Sequence, residues 1–265
     1  MSGLRFTTLV EAPLAVAFDV ARALGRPWPT PLTEVESHRP WSDVYSGRVP
    51  GLRSVTHTRH FSGTAAGTVV HERVDWESRL PGVLARLVDR AVLRPRVARA
   101  MRAHLDAYAA AATRRAQDVV QVVGAALVSG DRVLVAQRGS GSLAGLWEFP
   151  GGKVEPAEAE PAALVRECRE ELGVDVELQG FLGEVPLDGV VAGGAPGAST
   201  LRVWAGRVTG GEPVASEHAE LRWLTAAELE DLDWIPADRP LLPAVRRLLA
   251  AGGAPGPVRD WPGER

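Results

Sequence analysis

Apolar positions alternate with polar ones or recur at helical spacing along most of the chain, and the two periods predict its elements. Residues 4–10, LRFTTLV, read as a short strand, and PLAVAFDVARAL after them has helical spacing with Pro13 suited to a first turn. Residues 30–60 are rich in Pro, Gly and Ser, and their pattern assigns no element. SVTHTRHF and GTVVHERVDWES alternate as paired, half-buried strands do. LPGVLARLVDRAVL then opens a long amphipathic helix with Leu84, Leu87, Val88 and Ala91 on one face, and Pro95 must kink or interrupt it. Near AYAAAATRRAQD, residues 107–118, alanine-rich helix gives way to charge, and VVQVVGAALVSGDRVLVAQR follows as a predicted hairpin around Ser129-Gly130-Asp131. A second domain opening on that hairpin is the simplest organisation.

GGKVEPAEAEPAALVRECREELG, residues 151–173, is the next predicted helix, and its glutamates carry the candidate chemistry. Pro161 fits the first helical position and Gly173 the residue past the end. Ala163, Leu164, Cys168 and Leu172 supply a buried face, so Cys168 reads as a small core residue, not a nucleophile. Glu167, Glu170 and Glu171 project from the other side at i, i+3 and i+4. Carboxylates so crowded raise one another's pKa unless a cation neutralises them. Hard oxygen ligands of this kind suit Mg²⁺ or Mn²⁺. Taken alone, the cluster leaves two readings open, a solvated acidic face and a metal site.

Composition narrows the classes without choosing among them. The chain has 265 residues, 45% hydrophobic and 24% charged, as ordinary globular protein does. Its single cysteine excludes an internal disulfide framework and points to a reducing compartment. The apolar N-terminal stretch is broken by Glu11, Pro13 and Asp19, and nothing approaches ~18 uninterrupted apolar residues, so a cytoplasmic protein without a membrane partner is expected. The net charge of −3 hides a split. Residues 1–115 carry 17 arginines against 10 acids, and residues 116–265 carry 13 basic against 23 acidic residues. The basic half suits a nucleic acid or an anionic surface, but Arg86, Arg90 and Arg94 at every fourth position favour a solvated helix face, and no stable nucleic-acid binding is expected. The histidines at 38, 57, 60 and 71 lack partner carboxylates at a ligand spacing.

Spacing then adds what composition cannot. Gly152, five residues, Glu158, seven residues, and Arg166-Glu167-Cys168-Arg169-Glu170-Glu171-Leu172-Gly173-Val174 fit G-x5-E-x7-R-E-U-x-E-E-x-G-U at every fixed position. The second half therefore resembles the Nudix hydrolases over roughly residues 119–250, and GLWEFPGGKVEP resembles their MutT branch. The first half, roughly residues 4–112, resembles a shortened SRPBCC or START (Bet v1-like) domain, through VEAPLAVAFDVA, RHF and the long run from VDWES to HLDAY. The fold class implied is α+β: a Nudix α/β/α sandwich preceded by a small helix-grip domain. The expected limits are 1–115 for the first domain, 118–255 for the second, and 256–265 for a flexible tail.

The Nudix resemblance implies divalent-metal-dependent hydrolysis of a nucleoside triphosphate to NMP and pyrophosphate. It implies Glu167, Glu170 and Glu171 as metal ligands, with the carbonyl of Gly151 as another, and Arg166 as a brace for the glutamates. Glu158 pairs within the box. A further carboxylate is expected outside it; Glu217, six residues before Trp223, is the candidate for metal binding or water activation, with Glu220 as fallback. The resemblance further implies Arg138 near phosphate and Phe149 near the base. Asp238 stands where the MutT type carries Asn; it could read the base by accepting a hydrogen bond, or by donating one if protonated, and also suits an N-cap of the next helix. The leading expectation is an 8-oxo-dGTP diphosphatase that cleans the nucleotide pool. A (d)CTP or modified-cytosine pyrophosphohydrolase and a nucleotide-sensing regulator are the rivals. For the first domain, an apolar ligand and self-association both stay open.

Overall fold

A computed structural model describes residues 2–155, 158–187 and 199–253, which form two compact units that divide after Asp118. The expected tail at 256–265 lies outside the described residues. Among those described, no helix is long and apolar enough to cross a membrane.

The first unit is a five-stranded antiparallel sheet with helices. Its strands are β1 (Ser2–Val10), β2 (Thr33–His38), β3 (Ser42–Gly47), β4 (Leu52–Thr64) and β5 (Gly67–Ser78), in the order β1-β5-β4-β3-β2. Helix α1 (Leu14–Leu24) follows β1, and α2 (Gly82–Val88) and α3 (Arg94–Ala116) follow β5. Residues 30–60, which carried no readable period, thus hold the β2–β3 hairpin and the start of β4. Helix α3 buries Val97, Met101, Leu105, Tyr108 and Ala112, a stripe at helical spacing, and the Tyr108 hydroxyl donates to the Ala17 carbonyl. Pro95 sits in the first turn of α3, directly after a π-helical turn at Asp89–Leu93, because it supplies no amide hydrogen to a continuous helix.

The two alternating runs pair as β4 and β5, as expected, and one expectation for this unit is overturned. The face of Leu84, Leu87, Val88 and Ala91 packs on no core: α2 has no buried residue, and Leu84 and Leu87 are more than half exposed. The inward face of β4 is not uniformly apolar, since His57 and Arg59 are buried beside Val55 and Phe61. Partners explain that placement. Arg59 donates through Nε and Nη2 to Asp43 at 2.9 and 2.5 Å, Arg26 reaches Asp43 at 2.7 Å, and His57 Nε2 lies 2.8 Å from Glu72. Burial costs charged groups heavily unless they are paired, and here each is. His60 lies on the same strand but is exposed, so the two histidines face apart.

The second unit is a six-stranded mixed sheet between helices. Its main path is β11 (His218–Thr225), β7 (Arg132–Arg138), β6 (Val120–Ser129), β10 (Ser199–Gly210), β9 (Asp175–Pro186), with β8 (Trp147–Glu148) against β7. Strand β6 is covered on both sides. Val123, Ala125 and Leu127 pack with Ala163, Leu164, Cys168 and Leu172 of α4 (Glu160–Leu172), and Ala126 and Val128 pack with Val245 and Leu248 of α5 (Leu242–Ala250). The predicted hairpin exists only at its tip: β6 and β7 pair at Val128–Val133 and Ser129–Arg132 and then part. Residues 150–154 take over the vacated edge, where the amides of Val123, Ala125 and Val154 donate to Gly152, Pro150 and Gln121.

Candidate active site

That edge pairing fixes the start of the site. Gly151 sits at φ 149°, and a side chain there would overlap the Val123 carbonyl oxygen. A Cβ on Gly152 would overlap the Glu167 carboxylate, so the glycines let one backbone lie against both β6 and the acidic side of α4. Helix α4 ends on Gly173 in the left-handed conformation, φ 68°. Beyond it, the Val214 and Ser216 amides donate to the Leu172 and Glu171 carbonyls and lead the chain back to β11.

Arg166 uses all five of its donors, four of them on the glutamates. It grips Glu158 through Nε and Nη2 at 3.1 and 2.9 Å, while Nη1 donates to Glu167 at 3.0 Å and Glu170 at 3.1 Å. Nη2 also reaches the Lys153 carbonyl at 3.1 Å. Arg166 holds the Glu158 carboxyl below its usual range, and its own pKa is raised by Glu158 first, with Glu167 and Glu170 adding to the effect.

Glu171 is left out of this clasp. Among the described residues its Oε2 accepts only the Gly151 amide, at 3.2 Å, with His218 Nε2 4.0 Å away. Burial, reinforced by Glu167 and opposed by His218, pushes its carboxyl up to about 7. Burial first, and the neighbouring carboxylates with it, thus disfavour the charged form of this group. Cys168 on the same helix is buried, and burial pushes its thiol up to about 12, as a packing residue requires.

Glu171, Gly151, Arg138, Phe149, Glu217 and Asp238 line one cleft of about 460 Å³. Arg166, Glu167 and Glu170 are outside its lining, and Glu170 is the most solvent-exposed carboxylate of the clasp. Glu217 is exposed beside the cleft, whereas the fallback Glu220 is tied to Arg222 at 2.6 and 3.0 Å and is not in the lining. Asp238 is buried at the cleft wall, and among the described residues neither carboxylate oxygen has a hydrogen-bond partner. Burial, with Glu148 adding to it, raises its pKa well above the usual range; the Phe149 amide pulls the other way, short of a full hydrogen bond. Asp238 takes the expected N-cap position, with its carbonyl accepting the Leu241 amide at 2.9 Å, but not the expected side-chain role. It precedes a 3-10 turn, Arg239–Leu241, makes no side-chain capping bond, and α5 begins later, at Leu242.

Two residues of the cleft had not been singled out. Glu148 accepts from Arg138 Nη1 at 2.7 Å and lies 3.6 Å from His218 Nε2, linking Arg138 to the histidine beside Glu171. Glu148 holds the imidazole pKa up against burial. His218 faces the cleft because β11 carries an irregularity: His218 pairs with Arg138, but Glu220, not Ala219, pairs with Gln137. Simple alternation could not place it. Glu148 stands in the quoted WEFPGG run, and its pairing with Ala136 across β7 was the missing information.

The NUDIX domain model matches residues 119–245, all within the second unit. The putative 8-oxo-dGTP diphosphatase 2 of Mycobacterium tuberculosis (strain H37Rv) is 46% identical over 134 residues, 50% of this chain and 92% of the relative. The chain belongs to the Nudix family. Another relative, the CTP pyrophosphohydrolase of Escherichia coli (strain K12), is 39% identical over 134 residues, covering 50% of this chain and 96% of that protein. Among solved structures, the solution structure of the E. coli ORF135 protein is 36% identical and covers 51% of this chain and 93% of that chain, with a TM-score of 0.42. As a Nudix hydrolase the chain acts on phosphorus-containing anhydrides, and such hydrolases generally need divalent metal ions.

The residues present fit such an ion by donor chemistry. Among the described residues, no three His, Cys, Asp or Glu side chains converge to hold a metal unaided. Mg²⁺ does not require that, since it keeps several waters and takes one or two carboxylates together with substrate phosphates. The Glu171 carboxyl, raised to about 7, and the Glu167 carboxylate beside the Gly152 backbone, which shares Arg166 with Glu158 and Glu170, are the hard oxygen ligands it would use.

Proposed function

We propose that the second unit is a MutT-type nucleoside triphosphate pyrophosphohydrolase whose preferred substrate is 8-oxo-dGTP, cleaved to 8-oxo-dGMP and pyrophosphate. The observation that carries the reading is the four-bond clasp of Arg166 on Glu158, Glu167 and Glu170, beside a Glu171 at the cleft that Arg166 does not hold. Glu167, Glu170, Glu171 and Glu217, with the Gly151 carbonyl, would hold Mg²⁺, or Mn²⁺ in its place. When bound, the ion would neutralise phosphate charge and acidify water. Arg166 fixes the glutamates through charge-assisted bonds, so little reorganisation is needed as substrate enters. Arg138, held by Glu148, presents its remaining donors to phosphate oxygens. Phe149, packed on Trp234 with ring centroids 5.2 Å apart, forms an apolar wall for the base. Burial favours the neutral form of Asp238, and in that form it would offer both a donor and an acceptor to a base edge, the pair that Asn would supply.

Pyrophosphate release from 8-oxo-dGTP with Mg²⁺, abolished by EDTA, is the expected result. Orthophosphate release instead, or no turnover across canonical and oxidised triphosphates, would overturn the reading. A second reading, (d)CTP as preferred substrate, is favoured by the CTP-hydrolysing relative and by Asp238 acting as an acceptor for the cytosine amino group. A higher kcat/KM for dCTP than for 8-oxo-dGTP would select it.

For the first unit we infer a shortened helix-grip domain of the SRPBCC type, supported by its β-α-β₄-α order and by the α3 stripe. Domain limits of 1–115 and 118–255 and a cytoplasmic setting complete the proposal.

A further inference from the structure

We propose that the segment from Arg79 to Arg102 of the first unit is a docking surface for anionic lipid bilayers. Residues 79–102 carry seven arginines and one acid, Asp89. Asp89 is turned inward, where it accepts from Trp76 Nε1 at 2.7 Å and from Arg94 Nε at 3.1 Å, so its charge is used within the fold. Arg86, Arg90, Arg96, Arg99 and Arg102 are exposed and make no ion pair among the described residues. The surface is therefore uniformly positive.

Arginines alone would make an ordinary solvated face. The aliphatic side chains among them would not. Val83, Leu84 and Leu87 of α2 are 70%, 54% and 62% exposed, and Leu80 and Val92 extend the apolar strip at 39% and 36%. Scattered exposed leucines are common, but here they share one short helix that buries nothing. A basic helix with an apolar side turned to solvent is the pattern that settles at a membrane surface: aliphatic chains enter the headgroup–acyl boundary while arginines meet lipid phosphates.

The other occupants fit less well. Nucleic acid would use the arginines and leave the leucines in water. A second copy of the chain would cover the leucines but bring two arginine arrays together, and like charges repel. The lipid surface is the partner that satisfies both halves of the pattern. Sequence had argued against a membrane partner from the lack of a spanning segment, and a surface-bound helix needs none.

Co-sedimentation of the full chain with vesicles tests this directly. Binding to phosphatidylglycerol–phosphatidylcholine vesicles and not to phosphatidylcholine alone is expected. Leu84→Asp with Leu87→Asp should weaken it by about tenfold or more, and Arg86→Gln with Arg90→Gln by a comparable factor. A far-UV circular-dichroism spectrum and a first-unit unfolding midpoint that match the parent chain show both variants folded, and nucleotide hydrolysis, which belongs to the other unit, should be unchanged. No sedimentation with anionic vesicles, or leucine variants that bind like the parent, would overturn the proposal. So would a dimer in light scattering that the leucine variants dissolve, or arginine-dependent binding to duplex DNA that the leucine changes leave intact.

Discussion

Each unit gathers arginine and carboxylate around a shared centre, and the two clusters end in opposite states. In the first unit Arg26 and Arg59 meet Asp43, and Glu72 meets a neutral His57; charges balance and every group is almost wholly buried. In the second unit Arg166 alone faces Glu158, Glu167 and Glu170, with Glu171 beyond its reach. A closed, balanced network holds a fold together and offers nothing to a ligand. An open cluster with surplus negative charge at a cleft is unfinished without a cation.

Breaking the open cluster gives the largest effect. Glu171→Gln should lower kcat for pyrophosphate release by about 10²–10⁴-fold, the range for losing a positioned catalytic group, with little change in unfolding midpoint. Breaking the closed one reverses the pattern. Asp43→Ala leaves Arg59 and Arg26 buried without their acid and should cost about 3–5 kcal/mol in denaturant unfolding, while turnover per folded molecule is unchanged. A smaller effect sharpens the role of the clasp: Arg166→Lys keeps the charge but loses the planar fork, and should weaken Mg²⁺ activation by about 10–100-fold.

The smallest effect is a difference in sign with pH. Burial lowers the pKa of His57 and His104 in the folded first unit despite Glu72. The unfolded chain then binds protons first, so their contribution is complete above about 6.5 and is lost as pH falls below it. For Glu171 and His218 the folded values are raised. With EDTA present, their contribution is present at the acidic side of this range and is lost as pH rises, for Glu171 through about 7. Urea titrations from pH 8 to pH 5, read at probes in each unit, should show opposite slopes; parallel slopes would contradict the assignment.

Much of the open cluster was legible because its chemistry depends on spacing within one helix. The box residues, Pro161, Gly173 and the buried stripe of Ala163, Leu164, Cys168 and Leu172 all follow from local periodicity. What depends on cross-strand placement was not. His218 turns on an irregularity in β11, and Glu148 on pairing across β7. The closed cluster was hidden for a related reason: His57 and Arg59 look outward by polarity, and only Glu72 and Asp43 on neighbouring strands make their burial tolerable. Leu84 and Leu87 mislead in the other direction, since an amphipathic period says which residues share a face but not whether a core lies against it.

The central claim is that the surplus charge of the second unit is completed by a divalent ion together with a triphosphate. Crystals soaked with Mn²⁺ and a non-hydrolysable 8-oxo-dGTP analogue test it by anomalous scattering. The account predicts a peak between the carboxylates of α4 and the phosphates, next to Gly151. A cleft with nucleotide but no peak there, and glutamates still held by Arg166 alone, would contradict it.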